Sequence, residues 1–134
     1  MLGDKLYEAS GKVTGQRVLP SEGHGPRVET SFADGGKLLG VDATEMGTYW
    51  AVVRADGTLY GQGQGVFMGR NGEMATWVGQ GVGTFTGPGA VRFRGAVYFE
   101  TASQNWARLN GVAGVYEYEA DEQGNTRLQT WEWK

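Results

Sequence analysis

Short runs in which apolar and polar residues alternate follow one another along almost the whole chain, and no long stretch carries the three-to-four spacing of an amphipathic helix. A period of two is the mark of strands that bury one face. The alternation predicts strands near residues 5–19, 27–34, 37–44, 46–55, 58–68, 73–85, 91–101, 106–119 and 126–133. Turn-forming clusters stand between them: Pro20 to Pro26, Asp34-Gly35-Gly36, Asp56-Gly57, Arg70-Asn71-Gly72, Gly87-Pro88-Gly89 and Gly124-Asn125. Most of these connections are short, so successive strands are expected to be antiparallel neighbours. Eight or nine such strands suffice to close a sheet and remove its edges. The predicted fold is all-β, a closed antiparallel up-and-down barrel in which residues 1–134 form one domain.

Two glycine ladders, Gly61-Gln62-Gly63-Gln64-Gly65 and Gly79-Gln80-Gly81-Val82-Gly83, lie in the middle of this pattern. Each places its glycines on one face of a strand. Glycine weakens a strand and marks bending or close approach by another group. With Arg70-Asn71-Gly72 as a three-residue hairpin loop and Gly72 left-handed, Phe67 faces Ala75, Gly65 faces Trp77 and Gly63 faces Gly79. A two-residue turn would slip the register by one and put Phe67 opposite Thr76. Across the next loop Phe85 faces Val91, Gly83 faces Phe93, Gly81 faces Gly95 and Trp77 meets Phe99. Aromatic rings opposite glycines fill space that a missing side chain leaves. Carried one strand further, the same register sets Phe93 against Gly111 and Gly95 against Leu109.

The face that carries Leu59, Phe67, Trp77, Phe85, Val91, Phe93, Val97 and Phe99 is assigned to the interior, and it extends through Ala107, Leu109, Ala113 and Val115. The other face carries Tyr60, Gln62, Gln64, Gln80, Arg92, Arg94 and Tyr98.

Composition narrows the functions available. A net charge of −3 gives no basic footprint for nucleic acid or anionic lipid. No run approaches the ~18 apolar residues of a membrane-spanning helix, and the start, Met1-Leu2-Gly3-Asp4-Lys5, has no apolar signal core. A cytoplasmic location is the expectation. Without cysteine there is no disulfide, thiolate metal site or Cys nucleophile.

Candidate chemistry is sparse. The glycine ladders are not a phosphate loop, because strands rather than a helix follow them. His24 is the single histidine, in a loop at the expected barrel rim; it is either a general acid or base or an ordinary loop residue. One histidine without a carboxylate cluster offers no metal site, and no Gly-x-Ser-x-Gly elbow surrounds any serine. By parity Glu117 follows Leu109, Ala113 and Val115 onto the apolar face. A carboxyl in apolar surroundings has a raised pKa and serves as acid, base or ligand anchor. The alternative is that the face turns to solvent near Glu119. Trp131 and Trp133 share one side of the last strand and either close the barrel or line a pocket.

The repeated antiparallel strands with glycine-rich hairpins, and the stretch from Gly61 to the terminal Trp131-Glu132-Trp133-Lys134, resemble small bacterial calycin-like barrels of the lipocalin-like and allene-oxide-cyclase-like kind. The region Gly11-Lys12-Val13 lacks the lipocalin Gly-x-Trp motif. The resemblance implies a closed barrel that holds a small apolar molecule; some barrels of this shape are cyclases.

The expectation is thus a small-molecule-binding barrel whose ligand touches Tyr49, Trp77, Phe93 and Trp131, with Glu117 as polar anchor. The alternatives are a cyclase or isomerase using Glu117 or His24, and a homo-oligomeric subunit without ligand. No cofactor and no metal are expected.

Overall fold

The computed structural model describes residues 1–23 and 25–134. Eight antiparallel strands run in chain order around a closed barrel: β1 (Leu2–Leu19), β2 (Arg27–Leu38), β3 (Val41–Val53), β4 (Leu59–Gly69), β5 (Met74–Gly87), β6 (Ala90–Thr101), β7 (Ala113–Ala120) and β8 (Asn125–Trp133). A 3-10 helix, Gln104–Gly111, joins β6 to β7. The predicted all-β closed up-and-down barrel is therefore the fold, with eight strands.

The register read from the glycine ladders holds residue by residue. Gly65 pairs with Trp77, Phe67 with Ala75 and Gly63 with Gly79. Gly83 pairs with Phe93, Gly81 with Gly95 and Trp77 with Phe99. Gly72 is left-handed at φ 90°. The β5 face that carries Ala75, Gly79 and Gly81 points inward, and the glutamines and arginines of these strands point out; Phe85, expected on the inner face, is exposed near the strand end.

Two parts differ from expectation. Asp34-Gly35-Gly36 is not a turn. It lies inside β2, with Asp34 opposite Glu45 and Gly36 opposite Ala43. A side chain at Gly36 would overlap the Glu8 carbonyl, so this glycine serves close approach of β1. The turn is Leu39-Gly40, with φ of 50° and 81°, the two-residue hairpin in which both residues are left-handed. Lys37 and Leu38 consequently end β2, and the rest of the expected strands 37–44 and 46–55 is continuous through Glu45 as β3.

The second departure is 104–111. Trp106 and Leu109 stand three apart, the repeat of a 3-10 turn, and both are wholly buried. The helix reverses the inside-outside phase of β7, so Phe93 faces Tyr118 rather than Gly111, and Gly95 faces Tyr116 rather than Leu109.

The sheet closes where β1 pairs with β8 through a bulge between Lys5 and Tyr7. The extra residue lets the successive side chains Leu6 and Tyr7 both be buried. At this end Trp106 and Leu109 join Leu6, Leu38, Phe67 and Ala75 in the core. Glu73 fixes the helix to the adjacent hairpin, accepting from Asn105 Nδ2 at 3.0 Å and from the Asn71 amide at 2.9 Å.

Candidate functional site: a glycine-floored cavity with a buried carboxyl pair

Inward side chains of β2 to β8 enclose a cavity of about 60 Å³. Its walls include the rings of Phe32, Tyr49, Trp77, Phe93, Tyr116 and Tyr118, and the backbone of Gly61, Gly63 and Gly79. The rings pack edge to face or tilted: Tyr118 lies 5.3 Å from Phe32 and 5.5 Å from Tyr49, and Tyr49 lies 5.7 Å from Phe93. Such contacts fix each ring's position.

The glycines make this arrangement possible. A Cβ on Gly65 would overlap the Trp77 indole nitrogen, and one on Gly47 would come within 2.7 Å of Phe32 and 2.8 Å of Trp77. Real side chains do not approach so closely, so the indole lies across two glycine positions on β3 and β4. A Cβ on Gly81 would overlap the Tyr116 hydroxyl in the same way. The ladders are thus seats for rings from neighbouring strands as well as the source of the hollow.

One ionisable acid lines the cavity: Glu45, 2 % exposed. Its neighbour across the β2–β3 pair is Asp34, 7 % exposed. Tyr7 donates its hydroxyl proton to Asp34 Oδ1 at 2.7 Å. Burial pushes both carboxyls upward. For Asp34, hydrogen bonds from Glu45 and Tyr7 oppose that rise. For Glu45, the Asp34 charge and the bond to Asp34 add to the burial, and Glu45 stands well above the ordinary glutamate range. Two adjacent buried carboxylates repel, so the proton of the pair is held on Glu45; Asp34 Oδ2 and Glu45 Oε1 are both buried without a hydrogen-bond partner. The Trp77 N–H favours the ionised form of Glu45, yet Trp77 Nε1 and Glu45 Oε1 both lack a hydrogen-bond partner of ordinary geometry.

The phenols of the cavity are held neutral. Burial pushes Tyr116 up to about 12, with a smaller contribution from Tyr49. Burial also raises Tyr49 and Tyr118, whose hydroxyls lie 3.4 Å apart.

Of the residues singled out in the sequence, Tyr49, Trp77 and Phe93 come together in the cavity wall. Glu117 does not. The phase reversal at the 3-10 helix turns it outward, where it accepts from Arg94 Nε at 2.8 Å in an exposed ion pair. Trp131 also lies outside: it pairs with Lys5, whose ammonium stands 5.7 Å from its ring, and Trp133 is exposed. His24 lies outside the described residues. The inward carboxyls are Asp34 and Glu45, which sequence reading passed over because one sat in an apparent turn and the other between two apparent strands. Their signal was parity: Asp34 shares the phase of Phe32 and Leu38, and Glu45 that of Ala43 and Tyr49. Among the described residues no group of three or more acids or histidines is placed to hold a metal ion, and no helix is long and apolar enough to cross a membrane.

No protein-family model matches the chain, and no curated protein does. Solved structures do. A protein of unknown function from Clostridium acetobutylicum superposes with a TM-score of 0.83 at 15% identity, covering 98% of each chain. A β-barrel-like protein from Acinetobacter baumannii gives 0.83 at 14% identity, covering 100% of this chain and 96% of its own. An enzyme from Penicillium herquei gives 0.67 at 16% identity, covering 96% of this chain and 92% of its own. At these identities the likeness is one of fold.

Proposed function

We propose that the barrel binds a small molecule in its interior, with an apolar skeleton against the aromatic wall and a polar end at Glu45. The observation that carries this reading is the cavity itself: rings around a glycine floor, with an unpartnered buried acid and an unpartnered indole N–H beside it. Pockets for small ligands have this make-up, mostly apolar with a few fixed polar groups. A buried acceptor left without a partner costs about 1–3 kcal/mol, which a ligand's polar end removes. The cavity has room for about four water-sized groups, so it takes a compact ligand or the head of a longer one. The 3-10 helix plugs one end, so on this reading the ligand enters from the opposite end of the barrel. This agrees with the calycin-like resemblance, now with Glu45 in the anchoring role first assigned to Glu117.

Native mass spectrometry beside the denatured spectrum tests it. A copurifying molecule should disappear in Val97→Phe, which fills the cavity, and persist in Glu117→Gln. Persistence in Val97→Phe would place the molecule elsewhere and end the reading.

A second reading is an enzyme, a cyclase or isomerase working in the same cavity. The buried Glu45 carboxyl favours it, since burial keeps it protonated and a protonated buried carboxyl is a general acid, and one neighbour of similar shape is described as an enzyme. Turnover lost in Glu45→Gln while binding survives would separate the enzyme from the carrier. A homo-oligomer has separate support in the exposed Met46, Met68, Met74, Val78 and Tyr98 on the outer face of β3 to β6; sizing chromatography decides it.

A further inference from the structure

Among the described residues no cation stands beside the interior acids. Asp34 and Glu45 are buried, and the ionisable groups that face them are Tyr7 on β1 and Tyr118 on β7, with Tyr49 on β3 beyond, against Tyr118. All three are phenols held neutral by burial. Among the described residues no lysine or arginine is buried; the basic side chains lie on the outer face, as Arg92 and Arg94 do in pairs with Glu119 and Glu117. The Tyr7 hydroxyl offsets part of the desolvation at Asp34; among the described residues no counter-charge offsets the rest.

We propose, on the premise that the barrel binds a small molecule in its interior, that the ligand is an organic cation: a compact primary or secondary amine whose ammonium group sits against Glu45, with Phe32, Tyr49, Trp77 and Tyr118 around its carbon skeleton. Three independent features fit this class. Glu45 Oε1 lines the cavity without a partner and is ready to accept an N–H. Aromatic faces attract cations through their quadrupole, most strongly when water is excluded. The acid pair supplies a charge complement for a cation and repels an anion.

The chemistry of binding follows. In the free protein the proton of the pair is held on Glu45. An ammonium beside Glu45 favours its ionised form, so where Glu45 is protonated binding must displace that proton. The complex then sets the ammonium against the Glu45 carboxylate, with the Tyr7 hydroxyl still bonded to Asp34. Affinity for an amine should accordingly rise as pH increases through the titration of Glu45, while affinity for a neutral isostere should not change.

The experiment uses isobutylamine, isobutanol and isobutyrate, near-isosteres that are cationic, neutral and anionic, titrated into the full chain while the Trp77 indole N–H resonance is followed by NMR. The amine should bind at least about tenfold more tightly than the alcohol, as expected for a desolvated charge pair, and isobutyrate should not bind. The preference should fall toward unity in Glu45→Gln and as wild type is acidified, the second readout requiring no variant. Equal affinity for amine and alcohol, or a pH-independent preference, overturns the amine assignment and leaves interior binding standing. No shift with any of the three also overturns it, and the copurification result with Val97→Phe then judges interior binding on its own.

Discussion

At the helix end of the barrel, Trp106 and Leu109 drop into a layer with Leu6 and Leu38, and all four are at most 1 % exposed. In the middle, Gly61, Gly63 and Gly79 present no side chain to the interior and a cavity remains. The first region is filled from the 3-10 helix and the ends of β1 and β2, the second is lined by the middles of β4 and β5. They differ in what occupies the inward positions: large aliphatic and indole groups in one, glycines and a buried acid pair in the other. The filled end contributes stability through burial. The hollow middle gives up such burial and keeps two carboxyls out of water, an arrangement that fits a site rather than a core.

If that division is right, truncation at the two regions should have opposite consequences. Trp106→Ala should be the most damaging change, costing about 3–5 kcal/mol through the cavity it opens. Denaturant unfolding measures this, and a loss below about 1 kcal/mol would mean the helix is not a true plug. Gly65→Ala should come next, at roughly 1–3 kcal/mol, because the methyl group must displace the Trp77 indole. It should also remove binding, which Trp106→Ala need not do while the protein remains folded. Tyr7→Phe should cost about 1–3 kcal/mol by taking the donor from buried Asp34.

Glu45→Gln should act in the other direction. The folded-state pKa of Glu45 is raised, first by burial and then by Asp34. A raised carboxyl binds more protons folded than unfolded, so its favourable contribution is complete below the ordinary glutamate range. It is lost as pH rises through the folded value. Glutamine does not titrate. The variant should therefore unfold at a higher temperature than wild type at alkaline pH, with the gap closing on acidification. Thermal melts across that range check the sign, and a gap that widens in acid would place Glu45 in an ionised, stabilised state instead. Glu117→Gln should be the mildest, below about 0.5 kcal/mol, because its partner Arg94 and the pair itself are exposed.

The walls of the hollow were legible in the chain because β4 to β6 obey a strict period of two and carry Gly72 where a three-residue hairpin needs it. Parity then delivered Trp77 and Phe93. The carboxyl pair was not read, since glycine signals two things that a linear pattern does not separate. At Gly36 it permits close approach of β1, and at Gly40 it makes the turn. Reading Gly35-Gly36 as a turn cut β2 short at Asp34 and divided β3 at Glu45. Glu117 was misplaced by one irregular segment: a turn with a three-residue repeat at Trp106 and Leu109 mimics alternation, and every residue after it changes face.

The most direct test of the hollow as a ligand site is a crystal structure of the protein as purified, at a resolution that shows ordered solvent. It should show a non-protein group within hydrogen-bond distance of Glu45 Oε1 and Trp77 Nε1, inside the ring of Phe32, Tyr49, Phe93 and Tyr118. Finding both atoms bonded to the protein itself, with those rings in contact across a closed interior, would contradict the account.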